Sequence, residues 1–173
     1  MRLRRQSGVG MVEVLVAIVI VAFALLGMAG LQVSSLRYQK TAHVRGLAAQ
    51  YTSDIADRIR ANMDGAFAGN YVIGGTLAGG AGAAPGACAS APQCTPAEIA
   101  TRDIYNWRLD MARGMNGWGD ISGGIAAGYV VTVYFREPNK LDYDPTLAPP
   151  PCRAAALGAG DGDVRCLQTV VMP

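Results

Sequence analysis

The sequence predicts an α+β chain built around one long N-terminal helix, and three observations carry that reading. No proline occurs from Met11 to Met63, so nothing in that stretch forbids a continuous helix. A second, shorter segment carries a full set of helix start signals. Two further segments alternate or cluster β-branched and aromatic residues as strands do.

The long helix changes character along its length. From Met11 to Leu31 it is apolar all round, apart from Glu13. About 20 residues of helix cross roughly 30 Å, the thickness of a bilayer core. Beyond Leu31 the pattern becomes one-sided. Val44, Leu47, Tyr51, Ile55, Ile59 and Met63 recur at spacings of three and four, while Asp54 and Arg58 form a favourable i,i+4 pair. A helix of about 50 residues would be roughly 75 Å long. An all-round apolar half followed by a one-sided stripe suits a helix that leaves lipid and then supports a globular head.

The stretch GGTLAGGAGAAPGACASAPQC is a Gly/Ala/Pro-rich loop. It lacks the G-K-[ST] ending of a phosphate-binding loop. The second helix follows. Thr95 is its N-cap, Pro96 suits its first turn and Glu98 completes a capping box. Ala100, Ile104, Trp107 and Met111 share one face, with Trp107 as a core anchor, and Gly114 ends the helix. In IAAGYVVTVYFREPN, Tyr129, Val131, Val133 and Phe135 alternate with Val130, Thr132, Tyr134 and Arg136 as a strand. The terminal VRCLQTVVMP is a second strand, and LDYDPTLAPPPC and GAGDGD between them are turns and loops. Asp142, Asp144, Asp161 and Asp163 do not have EF-hand spacing, so they read as solvated turn residues rather than calcium ligands.

Charge and cysteine usage narrow the compartment. The chain has 173 residues, 15 Lys+Arg and 13 Asp+Glu. Arg2, Arg4 and Arg5 precede the apolar run, and without them 12 basic side chains face 13 acidic ones. The remainder is near neutral, so charge predicts no nucleic-acid surface. Arginines before a membrane span hold that end in the cytoplasm. The rest of the chain then faces an oxidising compartment, which suits four cysteines in two local pairs, Cys88 with Cys94 and Cys152 with Cys166. Three connectivities are open; the sequence-local one closes the shortest loops. Zinc is disfavoured, because the spacings are not those of metal knuckles and the sole histidine, His43, is distant. No nucleophile–base grouping is visible, so the sequence predicts no enzyme. It predicts no cofactor, no metal and no small-molecule substrate.

The N-terminus carries a more specific signal. The apolar run is too long for an ordinary secretory signal, and no A-x-A site follows before SSLRYQK. Gly8 ends a short basic leader, Val9 follows, and Glu13 is the fifth residue after Gly8. This resembles the class III signal of type IV prepilins and type II secretion pseudopilins. The resemblance implies cleavage between Gly8 and Val9 by prepilin peptidase, then N-methylation of Val9. Cutting after Gly10 would place Glu13 third. In that family the glutamate attracts the N-terminal amine of a neighbouring subunit during assembly. A carboxylate near a helix N-terminus also gains locally from the macrodipole. Two features depart from the usual major pilin. Val9 stands where Phe is common, and LLGMAGLQ, with Gly27 and Gly30, stands where a kinking proline is common. Those glycines either soften the helix or are ordinary membrane-helix glycines.

Element order, ADRIRANMDGA and the C-x5-C-T-P-A-E-I-A block leading to Trp107 extend the resemblance to PilV-type minor pilins. It implies the pilin fold, with the long helix packed on a small antiparallel sheet. The implied organisation is a cleaved cytoplasmic leader (1–8), a transmembrane and filament-core helix (9–33) and a periplasmic head (34–173). The implied role is initiation of a type IV pilus within a minor-pilin complex, supporting adhesion or twitching motility. Partners would be prepilin peptidase, other minor pilins, the major pilin and the inner membrane, with the pilus itself as an extracellular destination. A minor pseudopilin of type II secretion is the runner-up. A membrane-anchored periplasmic binding module is the alternative of another class.

Overall fold

The computed structural model describes residues 10–74, 81–86, 88, 93–136 and 164–173. Helix α1 runs Met11–Ala61, 51 residues without interruption. Gly27 and Gly30 lie inside it and do not break it. The chain divides into two compact units, Met1–Gln39 and Lys40–Pro173. In the first, every described residue is exposed.

The second unit holds the core. Its part of α1 buries Ala48, Thr52, Ile55, Ala56 and Ile59, with Val44, Leu47 and Tyr51 packed alongside. Buried Thr52 stays satisfied because its hydroxyl donates to the Ala48 carbonyl at 2.9 Å. Met63 belongs to the predicted stripe but is exposed. The reason is that α1 stops at Ala61, where Asn62 caps a new short helix, α2 (Met63–Phe67), by accepting from the Gly65 N–H.

Helix α3 spans Pro96–Met115 with the full Thr95–Glu98 capping box. Its buried face is Ala100, Ile104, Trp107, Met111 and Met115. The helix ends at Asn116, whose left-handed backbone (φ 51°) closes it, two residues beyond the predicted Gly114. Gly114 serves packing instead, because a Cβ there would lie 2.2 Å from the Tyr51 hydroxyl.

Three antiparallel strands follow in the order β1–β2–β3: Trp118–Gly124, Gly128–Arg136 and Val164–Val171. The two expected strands are β2 and β3. β1, reading WGDISGG, has poor strand propensity and was not among the expected elements. It forms because Ile121 pairs with Val131 on one side and bridges Ile73 on the other. Its glycines also admit close neighbours: a Cβ at Gly119 would sit 2.3 Å from the Trp107 ring. Trp107 itself is fully buried, and its indole N–H donates to the Tyr51 carbonyl at 2.8 Å, joining α3 to α1. The result is an α+β head in which the long helix packs with α3 against a three-stranded antiparallel sheet. On the opposite sheet face, Trp118 stacks on Tyr134 with ring centroids 5.3 Å apart.

Candidate functional site: the first turns of the N-terminal helix

Glu13 lies in the first turn of α1, with its N–H donating to the Gly10 carbonyl at 2.9 Å. The next residue, Val14, donates to the same carbonyl at 3.3 Å, so Gly10 carries the first hydrogen bonds of the helix. The Glu13 side chain is exposed, and it is the sole charge from Met11 to Leu36. The next charged residue, Arg37, is 24 positions on, roughly 36 Å along a helix. Within the described part of this unit, Glu13 therefore has no cation in reach. The carboxylate borders a shallow groove formed by Val14, Ala17, Ile18 and Val21. α1 contains a stretch long and apolar enough to cross a membrane, with mean hydropathy 2.9 over its most apolar window. Gly8 and Val9 lie outside the described residues.

The head presents a different chemistry. Cys88 and Cys94 are joined in a disulfide, just ahead of the α3 N-cap. Cys166, in β3, is also disulfide-bonded, and Cys152 lies outside the described residues. So do the four aspartates of the 142–163 region. His43 is exposed on α1. Among the described residues no three His, Cys, Asp or Glu side chains gather as a metal site.

The Asp54–Arg58 pair expected from the sequence is formed, and it belongs to a wider polar clasp, through Tyr71, Asn62 and Asp103, that ties α1, α3 and the segment after α2 together. The Tyr71 hydroxyl donates to Asp103 at 2.7 Å and accepts from the Asn62 amide at 3.2 Å. Arg58 reaches Asp54 at 3.0 Å and Asp103 at 3.5 Å. Burial, then the bond to Asp103, pushes the Tyr71 phenol well above its ordinary range. Burial alone lowers the Arg58 guanidinium, but the Asp54 and Asp103 carboxylates outweigh it and raise the net value. Arg108 is lowered by burial; it donates to the carbonyls of Gly74 (2.6 Å) and Gly119 (3.2 Å). These groups brace the head and gather no nucleophile with a base.

The model of the prokaryotic N-terminal methylation motif matches residues 3–29. This N-terminus is of the prepilin type. The matched segment contains Arg4, Arg5, Gly8, Val9, Glu13 and most of the apolar run. The match supports a type IV pilin-like or pseudopilin-like protein, a structural rather than enzymatic class. With the apolar helix, it fits a membrane-anchored chain. No curated protein and no solved structure matches the sequence.

Proposed function

We propose that this chain is a minor pilin of the PilV type, cut by prepilin peptidase between Gly8 and Val9 and N-methylated at Val9. It remains in the inner membrane by its first helix, with the head in the periplasm. There it joins other minor pilins to start a type IV pilus, and so serves adhesion or twitching. The observation that carries this reading is the methylation motif over residues 3–29, with Glu13 as the lone charge from Met11 to Leu36. A carboxylate at the centre of a membrane helix costs about 2.5–3.5 kcal/mol. Pairing with the amine of a neighbouring Val9 offsets the desolvation of both charges, whereas either alone in lipid is costly. The paired cysteines agree with an oxidising compartment.

Two measurements test it. N-terminal sequencing of the membrane-bound protein should begin at Val9; an intact Met1, or a start beyond Leu31, refutes the processing. In a strain lacking the native copy, Glu13→Ala should lose piliation and co-capture of minor pilins, and wild-type behaviour would sink the assembly role. The same motif serves minor pseudopilins of type II secretion, so secretion genes beside this one, in place of pilus genes, would favour that second reading.

A further inference from the structure

The stretch Leu36–Lys40, where α1 leaves its uncharged part, gathers features that the assembly role does not use. No acidic residue occurs between Glu13 and Asp54, and the first basic residues after the leader are Arg37 and Lys40. Farther along α1, Arg58 and Arg60 each meet an aspartate of their own helix, Asp54 at 3.0 Å and Asp57 at 3.2 Å. Arg37 and Lys40 have no carboxylate within four positions on either side. They stand three residues apart on the helix, so as like charges they repel unless an anion lies between them. Tyr38 separates them in sequence, and all three side chains are exposed, Tyr38 at 65%. Helical side chains lean toward the N-terminus, which here is the side of the apolar run. The Arg37 stem is therefore directed over Val33 and the Lys40 stem over Leu36, both of them exposed apolar residues. Each stem covers apolar surface while its charge reaches past it. Arg37 lies six residues beyond Leu31, about 9 Å along a helix. A headgroup layer is roughly 5–8 Å deep, so a cation leaning back from that position ends among headgroups.

We infer that Arg37 and Lys40, with the Tyr38 ring beside them, bind the phosphate of an anionic phospholipid where the anchor leaves the bilayer. Charge complementarity and the apolar residues beneath the cations together select this occupant. An acidic protein surface would answer the two cations but leave Val33 and Leu36 against polar groups. A phospholipid supplies a phosphate at the level of the cations and acyl chains beside the apolar residues. Tyrosine is enriched at this same level, where its ring meets acyl chain and its hydroxyl stays wet. Processing sharpens the contact. Cleavage after Gly8 removes Arg2, Arg4 and Arg5, so Arg37 becomes the first basic side chain of the processed chain. The lipid contact then fixes the depth of an anchor that the leader's arginines no longer hold. This inference rests on the membrane-anchor reading and its cleavage, and it makes no use of the Glu13 carboxylate.

The test uses the full processed chain, Val9 to Pro173, in phosphatidylcholine vesicles with a trace of spin-labelled phosphatidylglycerol or spin-labelled phosphatidylcholine. Electron spin resonance reads the fraction of each labelled lipid immobilised at the protein. Both leaflets carry label, so the orientation of the chain in the vesicle does not matter. At low salt, labelled phosphatidylglycerol should associate about fivefold more strongly than phosphatidylcholine. The preference should vanish when Arg37→Gln is combined with Lys40→Gln. It should also vanish in about 0.5 M salt, where exposed charges are screened within a few ångströms. Arg102→Gln with Arg113→Gln removes the same charge from exposed positions of α3 and should keep the preference. No preference in the wild type, or an unchanged one in the Arg37/Lys40 variant, overturns the inference. Equal loss in both double variants also overturns it, by assigning the effect to net charge. So does loss of minor-pilin co-capture in the Arg37/Lys40 variant with its lipid preference intact, which gives the two cations to an acidic protein partner. A chain that carbonate extracts from the vesicles refutes the anchor reading and the inference with it, whereas N-terminal sequencing reads the cleavage separately.

Discussion

Replacing Tyr71 with Phe isolates one hydroxyl at the centre of the head's polar clasp. Tyr71 is fully buried, and its oxygen lies 2.7 Å from Asp103 Oδ2 and 3.2 Å from the Arg58 carbonyl. A phenol has one proton, so the shorter, charged contact takes it. The Arg58 carbonyl already accepts from the Asn62 N–H at 3.1 Å. The Asn62 amide keeps the Pro96 carbonyl at 2.8 Å, and Asp103 keeps Arg58. Phe preserves the ring, so the loss reduces to one hydrogen bond to a charged acceptor, about 1.5–3 kcal/mol. For a chain of this size, about 2 kcal/mol lowers Tm by roughly 4–8 °C. The assay is thermal unfolding of the detergent-solubilised full chain, followed by near-UV circular dichroism. Asp103→Ala removes the other end of the same bond, so the double variant should fall short of the summed single losses by roughly 0.5–3 kcal/mol. A Tm within about 1 °C of wild type, or strictly additive losses, would refute the proposed clasp.

Three further outcomes follow from other parts of the chain. The folded state holds the Tyr71 proton more tightly than the unfolded chain does, so the stability this contributes is complete below about pH 10 and is lost as pH rises beyond it; Tyr71→Phe should flatten that alkaline decline in a pH series of melts. Gly119→Ala drives a methyl group into the Trp107 ring, 2.3 Å away, and should destabilise the head by about 1–3 kcal/mol in the same melt. Changing Arg2, Arg4 and Arg5 to Gln leaves the nearest positive charges on the far side of the span, at Arg37, Lys40 and Arg45. Export of a C-terminal alkaline phosphatase fusion should then drop severalfold; full activity would refute the leader's part in topology.

Local rules were enough for some elements of the fold and not for others. α3 was legible from Thr95 to Met111 because its cap, first-turn proline and apolar spacing all agree. β2 was legible because it alternates and both its faces are largely buried. β1 was not, since WGDISGG has glycine where propensity asks for branched residues. Its glycines answer to Trp107 and to the hairpin, where Gly123 and Gly128 both have positive φ, and those are tertiary demands. The stripe on α1 was read from its large residues, yet three of its five buried positions are Ala48, Thr52 and Ala56. Small residues bring helices close but carry little signal in a hydrophobic pattern.

The same asymmetry governs the candidate site. Glu13 stands out because the 26 residues from Met11 to Leu36 hold no other charge, so the carboxylate is conspicuous from the sequence alone. Ala17 does not stand out, because Ala22, Ala24 and Ala29 share its segment and alanine is unremarkable in a membrane helix. Only its placement four residues after Glu13, with the N-terminal tilt of helical side chains, makes its size matter. A bulky residue at position 17 would leave every compositional feature of the anchor intact, and the motif with it. It would still cover the one group on that face able to hold a cation. The charge is therefore legible from composition alone, whereas the size of its neighbour counts only once the helix fixes the spacing between them.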